Sequence, residues 1–175
     1  LVLVALVGCQ DSESKGTAYP LDSSNKLEFI NVQGEMVNLH EKEGLKVFVP
    51  GEVSLQDNFG TMVLLQDIAF KDGVIELELA GEPVPGTGPG ARGFVGVAFR
   101  VNPSNHQEYE CIYLRPLNGR APNQLQRNHS VQYISHPEYT WFKLRNETPG
   151  LYESYVDLEP GVWTKVRIEV AGLTA

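Results

Sequence analysis

The chain has 175 residues, of which 42% are hydrophobic and 21% are charged, a composition typical of one globular domain. Its net charge of -8 at pH 7 argues against a nucleic-acid partner, because phosphate backbones are bound by clustered positive charge. The charge is unevenly distributed, since every arginine lies at or beyond Arg92. We therefore expect the C-terminal half to suit neutral or anionic polar ligands rather than cations.

The chain begins with an apolar run, LVLVALVGC, that is too short to span a bilayer and is followed by polar residues. This pattern is typical of the end of a secretory signal peptide, and its last four residues, ending in Cys9, resemble a bacterial lipobox. We predict that Cys9 carries a lipid, which anchors the exported protein in the bacterial cell envelope, on the periplasmic side or at the outer-membrane surface, without inserting it in the membrane. The alternative is an internal hydrophobic segment of a longer protein. A signal peptide starts with a basic region, so we expect the natural sequence to extend upstream.

Residues 10–26 are polar and contain Ser, Gly and Pro, which predicts a linker between the anchor and a domain formed by residues 27–175. Five short segments rich in Val, Ile, Leu and Phe follow, namely LEFINV, EMVNL, LKVFV, TMVLLQDIAF and GVIELELA. Turn residues separate them and no helical window is long enough to compete, so the spacing predicts an all-β sandwich or barrel. In the last segment alternation places Leu77 and Leu79 inward and Glu78 outward.

The most informative stretch is residues 92–145, which opens with two predicted strands, RGFVGVAFRV and QEYECIYLRP, joined by the turn NPSNH. In the first strand the small residues Gly96 and Ala98 share a face with Arg100, which leaves room for a ligand and supplies a donor for it. We hypothesise that carboxylates lie near Arg100, where they bind sugar hydroxyls or, as a pair, hydrolyse a glycosidic bond. The candidates are Glu78, Glu108 and Glu110. The alternative, which the residue pattern alone favours, is a solvated strand face.

Cysteine chemistry and metal binding are not indicated by the sequence. Cys111 alternates with two tyrosines in the second strand, which favours a buried small side chain over a nucleophile. No CxxC or His-rich spacing typical of a metal site occurs, and we expect no cofactor.

Residues 116–150 form the longest stretch without clear periodicity, and they are too aromatic for disorder. We predict an ordered loop folded over one sheet. Sugars present apolar faces and polar rims, so aromatic side chains of this loop can stack on a sugar while arginine, asparagine and histidine bind its hydroxyls. The alternative for Trp141 and Phe142 is that they seal the loop onto the sheet. The binding candidates are Arg115, Asn118, Arg127, His129, Tyr133, Trp141 and Arg145.

Two more strands are predicted in LYESYVDL and VWTKVRIEVAG, the latter with Val166, Ile168 and Val170 on one face. A strand that ends in a glycine turn normally pairs with a hairpin partner. We therefore expect the fold to be incomplete at the C-terminus, because an unpaired edge would otherwise be exposed.

The order of the segments IELELA, GFVGVAFRV, YECIYLRP and VWTKVRIEVAG resembles the concanavalin A-like lectin/glucanase jelly roll, in particular bacterial 3-keto-disaccharide hydrolase-like domains. The resemblance covers residues 55–175 and is carried by Phe99-Arg100, Tyr109-Glu110 and Trp163. It implies a two-sheet β-sandwich of jelly-roll type and a carbohydrate ligand. The loop after the second strand resembles that of LamG-like secreted proteins. Because one such fold hosts both lectins and hydrolases, the resemblance leaves the reaction open.

Three hypotheses follow. In the first, the protein is a hydrolase of glycosides or 3-keto-glycosides, with Glu110 as acid or base, Arg100 orienting the sugar and Glu78 or Glu108 assisting. In the second, it is a non-catalytic glycan-binding module that uses Tyr133, Trp141 and the loop arginines. The third is a structural lipoprotein domain of an envelope complex without a small ligand.

Overall fold

The computed structural model describes residues 2–5, 16–51 and 60–175. Cys9, the rest of the predicted lipobox and the first part of the linker lie outside the described residues. The chain folds as two compact units. The first comprises residues 3–79 and 163–175, and the second comprises residues 80–162 together with the first two residues. Within the described ranges there are eleven strands and three short helices, which confirms a β-rich fold.

The first unit contains two sheets. Strands β2 (Leu27–Ile30) and β5 (Met62–Leu65) pair antiparallel as a small sheet. The larger sheet has five strands, and from edge to edge they are β11 (Thr164–Val170), β6 (Gly73–Gly81), β1 (Val2–Ala5), β4 (Lys42–Phe48) and β3 (Gln33–Leu39). Both β3 with β4 and β6 with β11 are antiparallel pairs.

Alternation of buried and exposed side chains explains why these strands form a sheet with one apolar face. In β11, Ile168 and Val170 are buried while Lys165, Arg167 and Glu169 are exposed. Strand β6 departs from the predicted pattern, because Glu78 is buried beside Leu77 and Leu79 rather than facing outward. Its carboxylate accepts a hydrogen bond from Lys42 Nζ at 2.5 Å, and this ion pair offsets the cost of burying the charge.

The second unit contains a four-stranded antiparallel sheet in the order β10, β9, β8, β7. These strands are β7 (Val95–Phe99), β8 (Tyr109–Leu114), β9 (Val131–His136) and β10 (Glu153–Ser154). Three short helices accompany them, α1 (Pro116–Gly119), α2 (Gln124–Arg127) and α3 (Trp141–Glu147). The buried apolar side chains of this unit come from β7, β8, β9, α3 and the segment after β10, among them Val95, Phe99, Leu114, Ile134, Leu144 and Leu158.

The prediction of an irregular loop over residues 116–150 is wrong in its detail, since the segment holds a sheet strand and all three helices. It is ordered, as expected. Conversely, the strand predicted at residues 151–158 is reduced to the two residues of β10. Among the described residues, the helices are all too short and too polar to cross a membrane.

Candidate functional site

The hairpin of β7 and β8 forms as the sequence predicts. Its register places Phe99 opposite Glu110, and the Arg100 guanidinium donates to Glu110 Oε1 at 2.7 Å. The second carboxylate oxygen, Oε2, accepts from the Tyr133 hydroxyl at 2.9 Å. Tyr133 stands opposite Ile112, two residues from Glu110 along β8, so the contact is a diagonal cross-strand pair. Both oxygens of Glu110 are therefore occupied by fixed donors.

Arg100 reaches Glu110 because the backbone leaves the strand at this residue. Its φ is 53°, in the left-handed region that non-glycine residues seldom adopt. In regular strand geometry Arg100 would point to the face opposite Phe99, and hence away from Glu110. The turn thus brings together two of the predicted catalytic residues by a local distortion of the backbone.

The other two predicted carboxylates have partners of their own. Glu108 is exposed in the turn, where Asn102 Nδ2 and Asn105 Nδ2 each donate to it at 3.1 Å. These hydrogen bonds hold the pKa of Glu108 below its usual value. Glu78 belongs to the first unit, where it binds Lys42.

The small residues of β7 have a structural explanation. A Cβ atom added at Gly96 would lie 2.5 Å from Tyr113 Cβ and 2.6 Å from the Ile112 carbonyl oxygen. Glycine is thus required by the close approach of β8, and Gly96 leaves no space for a ligand. Cys111 is partly buried, and desolvation raises the pKa of its thiol to about 12, which agrees with a packing role rather than that of a nucleophile.

Three of the predicted binding residues converge instead on Glu153, a carboxylate whose side chain is only 3% exposed. Arg145 donates two hydrogen bonds to this carboxylate: Nε donates to Oε2 at 3.0 Å and Nη2 donates to Oε1. Arg115 Nη1 donates to Oε1 at 3.4 Å, and the same atom donates to the His129 carbonyl oxygen at 2.9 Å. We call Glu153, Arg145, Arg115 and His129 the Glu153 cluster.

The Glu153 cluster carries one more positive charge than negative when His129 is neutral. Burial acts to raise the pKa of Glu153, but Arg145, His129 and Arg115 outweigh it, so the pKa lies below its usual value. Burial lowers the pKa of His129, and Arg145 and Arg115 lower it further against the opposing effect of Glu153. At neutral pH the imidazole is therefore uncharged.

The His129 ring lies close to Glu153 but forms no hydrogen bond with it. Its Nδ1 atom lies 2.8 Å from Glu153 Oε2, the same oxygen that accepts from Arg145 Nε. The two atoms are nevertheless not aligned for a hydrogen bond, so Nδ1 is fully buried without a hydrogen-bond partner. Within the described residues it is the only buried side-chain nitrogen or oxygen in that condition.

The remaining binding candidates have structural roles. Asn118 is buried, donates to the His129 carbonyl oxygen at 3.1 Å and accepts from Gln126 at the same distance. Arg127 closes the turn around α2 through the carbonyl oxygens of Ala121 and Pro122. Neither side chain is oriented toward a ligand by these contacts.

The start of helix α3 and the residue before its N-cap present aromatic side chains to solvent beside the Glu153 cluster. Tyr139, Trp141 and Phe142 are 46%, 37% and 61% exposed, and we call these three residues the α3 platform. The Trp141 and Phe142 rings meet edge to face with centroids 5.8 Å apart, and the Arg145 guanidinium lies 4.9 Å from the Trp141 ring centroid. The exposure of both rings favours the binding interpretation over the alternative in which Trp141 and Phe142 seal the segment onto the sheet.

Glu153 is the residue that the sequence interpretation missed. It lies in a segment whose alternating pattern predicted an ordinary strand. A signal was present, since residues 111–137 contain three arginines and no Asp or Glu, so their partners had to come from elsewhere. Arg120 forms ion pairs with Asp157 and Glu159, and Arg115 forms one with Glu153.

The chemistry of the described residues offers hydrogen bonding and stacking. No group of three or more His, Cys, Asp or Glu residues able to hold a metal ion occurs in the part of the chain that the structure covers. No family model, curated protein or solved structure matches the chain.

Proposed function

We propose that this protein is a non-catalytic carbohydrate-binding module of the bacterial cell envelope, and that its β-rich fold is of the concanavalin A-like jelly-roll type. The antiparallel pairing in both units and the sequence resemblance support the fold. The lipobox-like segment that ends in Cys9 supports export and attachment through a lipid. The site of binding is the α3 platform.

The observation that carries the proposal is the exposure of three aromatic side chains within four consecutive residues, two of whose rings are in contact, on a fixed support. Large apolar side chains that are grouped and accessible are typical of interaction sites. Here Leu144 of the same helix is buried, and Arg145 holds the helix to Glu153. A rigid aromatic surface stacks on the apolar face of a sugar ring with little loss of side-chain freedom.

Binding is favoured over hydrolysis because the carboxylates are already occupied. A glycoside hydrolase needs one carboxyl group that gives a proton and a second that attacks or activates water. Glu110 is held on both oxygens by Arg100 and Tyr133, Glu108 is held in its turn, and Glu153 is enclosed by Arg145 and its neighbours. In each of these three carboxylates both oxygens already accept hydrogen bonds, so a catalytic role would require the exchange of an existing partner.

The test measures retardation of the protein in native gels that contain soluble polysaccharides, followed by calorimetry with oligosaccharides of the best one. We expect Trp141→Ala to weaken binding about tenfold, the effect of losing roughly 1.4 kcal/mol of stacking. Trp163→Phe is the matched control, because the Trp163 indole is engaged by the Leu39 carbonyl oxygen at 3.0 Å in the first unit.

The wild-type protein is also incubated with glucosides and 3-keto-glucosides. Release of sugar that Glu110→Gln abolishes would favour the hydrolase hypothesis instead. If the wild-type protein binds none of the polysaccharides, or if Trp141→Ala binds as well as wild type, the proposed function is wrong.

A further inference from the structure

The Glu153 cluster places a titratable imidazole next to the ion pairs of a buried carboxylate. Three groups that are cationic or can become so surround one buried carboxylate: Arg145 from α3, Arg115 from the end of β8, and His129 from the turn between α2 and β9. Tyr113 of β8 lies behind Arg115, which donates to its hydroxyl at 2.8 Å. These are the charged and titratable groups that face His129.

Two nitrogen atoms approach the same carboxylate oxygen in this cluster. Glu153 Oε2 accepts a hydrogen bond from Arg145 Nε at 3.0 Å, and His129 Nδ1 lies 2.8 Å from the same oxygen without a hydrogen bond. Protonation of His129 gives Nδ1 both a proton to donate and a positive charge. It then becomes a stronger competitor for Oε2, and it also repels the two guanidiniums.

Arg145 can move away from Glu153 more easily than Arg115 can. The Arg115 side chain is 7% exposed and is held by the His129 carbonyl oxygen, by the Tyr113 hydroxyl and by Gln132. The Arg145 side chain is 32% exposed, so its guanidinium can be hydrated when it leaves Glu153, and its displacement costs less free energy than that of Arg115. Repulsion within the cluster is therefore relieved by the outward movement of Arg145.

We propose that His129 is a proton-operated switch, which on acidification takes Glu153 Oε2 from Arg145 Nε and, by repelling the guanidinium, also weakens the contact of Arg145 Nη2 with Oε1, so that the α3 platform is released. Arg145 is the link, because its guanidinium also lies against the Trp141 ring. The effect on ligand binding rests on the proposed function; the movement of Arg145 and Trp141 does not. The platform is held at neutral pH and loosened in mildly acidic medium.

The sign of the pH dependence follows from the environment of the imidazole. The pKa of His129 is lowered by burial and by the two arginines, so the unfolded chain takes up its proton at a higher pH than the folded one. Stability from the neutral ring is complete above about pH 6.5 and is lost as the pH falls below that value. The switch therefore operates below pH 6.5.

The experiment uses protein labelled with 5-fluorotryptophan, whose two fluorine resonances are assigned with the Trp163→Phe variant. Between pH 8 and pH 5 we expect the Trp141 resonance to shift in a one-proton transition with its midpoint below about 6.5. His129→Asn should abolish that transition. His106→Asn is the matched control and should preserve it, since His106 lies in the turn before β8 with φ of 55°, a conformation that asparagine tolerates.

A direct titration of the His129 ring proton in the wild-type protein guards against misfolding of the variant. The proposal is overturned if that midpoint differs from the midpoint of the Trp141 resonance, or if the Trp141 resonance does not respond to pH. It is also overturned if the transition persists in folded His129→Asn.

The binding measurement separates the two proposals. We expect polysaccharide affinity to fall about tenfold between pH 7.5 and pH 5 in the wild type and to stay level in His129→Asn. A protein that binds equally at both pH values, with a silent Trp141 resonance, retains the proposed function and refutes the switch. A Trp141 transition without binding of any polysaccharide supports the switch and refutes the proposed function.

Discussion

Replacement of Glu153 by glutamine gives the sharpest test of the cluster. Glutamine keeps the size of the side chain and removes its charge, so Arg115 and Arg145 lose the carboxylate that both contact. Removing one partner of a buried ion pair costs about 3–5 kcal/mol. Arg145 is one-third exposed and can be rehydrated, so we take the lower limit, about 3 kcal/mol. For a chain of 175 residues this corresponds to a decrease in Tm of roughly 6–12 °C.

The assay is urea unfolding followed by circular dichroism at pH 7 and at lower pH. Because the pKa of Glu153 is lowered on folding, its contribution is present above the ordinary carboxyl pKa and is lost as the pH falls through the folded-state value. The difference in free energy of unfolding between wild type and Glu153→Gln should thus be largest at pH 7 and should decrease below about pH 4. Glu159→Gln, which removes an exposed partner of Arg120, is the control and should change stability by less than about 0.5 kcal/mol. The reasoning is refuted if Glu153→Gln changes the free energy of unfolding at pH 7 by less than about 0.5 kcal/mol.

Three further predictions concern packing and titration in the second unit. Gly96→Ala should lower the free energy of unfolding by about 1–3 kcal/mol through overpacking, whereas Gly88→Ala, with no atom within 4 Å of the added Cβ, should not; urea unfolding compares them. Tyr113 and Tyr133, whose pKa burial raises to about 12, should stay largely protonated at pH 11, as ultraviolet difference spectra compared with those of Tyr113→Phe and Tyr133→Phe will show. In a variant without the other cysteine, Cys111 should react with iodoacetamide more slowly at pH 8 than after urea is added, and equally rapid labelling of the native protein would contradict the raised pKa of its thiol.

The β7–β8 hairpin could be predicted because its information is local. Alternation over ten residues, a turn of Asn, Pro and Ser, and a second alternating run specify two adjacent antiparallel strands. The sequence predicted that Arg100 lies near Glu108 or Glu110, and the structure pairs it with Glu110 for a reason that the sequence does not contain. The sequence does not reveal that Arg100 adopts a left-handed backbone, which is what turns its side chain toward Glu110.

Strand β9 was missed because it lacks a one-sided apolar pattern. Gln132 alternates with Ile134 on the buried side and is itself wholly buried, so polar and apolar residues share one face. The burial of Gln132 is possible because its amide donates to the carbonyl oxygens of Tyr133 and Tyr152 and accepts from Arg115. Such satisfaction depends on distant residues and leaves no periodic signal.

Helix α3 was missed for a different reason, its length. Seven residues form barely two turns, too few for an apolar stripe to stand out. A start signal was nevertheless present, since Thr140 caps the helix and its hydroxyl accepts from the Lys143 amide at 3.5 Å. The helix is held chiefly by tertiary contacts, with Leu144 buried and Arg145 bound to Glu153.

The cluster also bears on the ligand that the α3 platform would select. The sequence suggested that loop arginines bind a ligand directly, yet Arg115 and Arg145 are engaged by Glu153. An anionic sugar would have to displace a buried carboxylate to reach them, whereas a neutral sugar stacks on Trp141 without any exchange of charge. We therefore expect neutral polysaccharides to bind, with an affinity that changes less than about twofold between 50 and 500 mM salt, because stacking is not screened. Calorimetry at both salt concentrations decides the matter: an affinity that falls steeply with salt would mean that the arginines, and not the aromatic rings, make the dominant contacts.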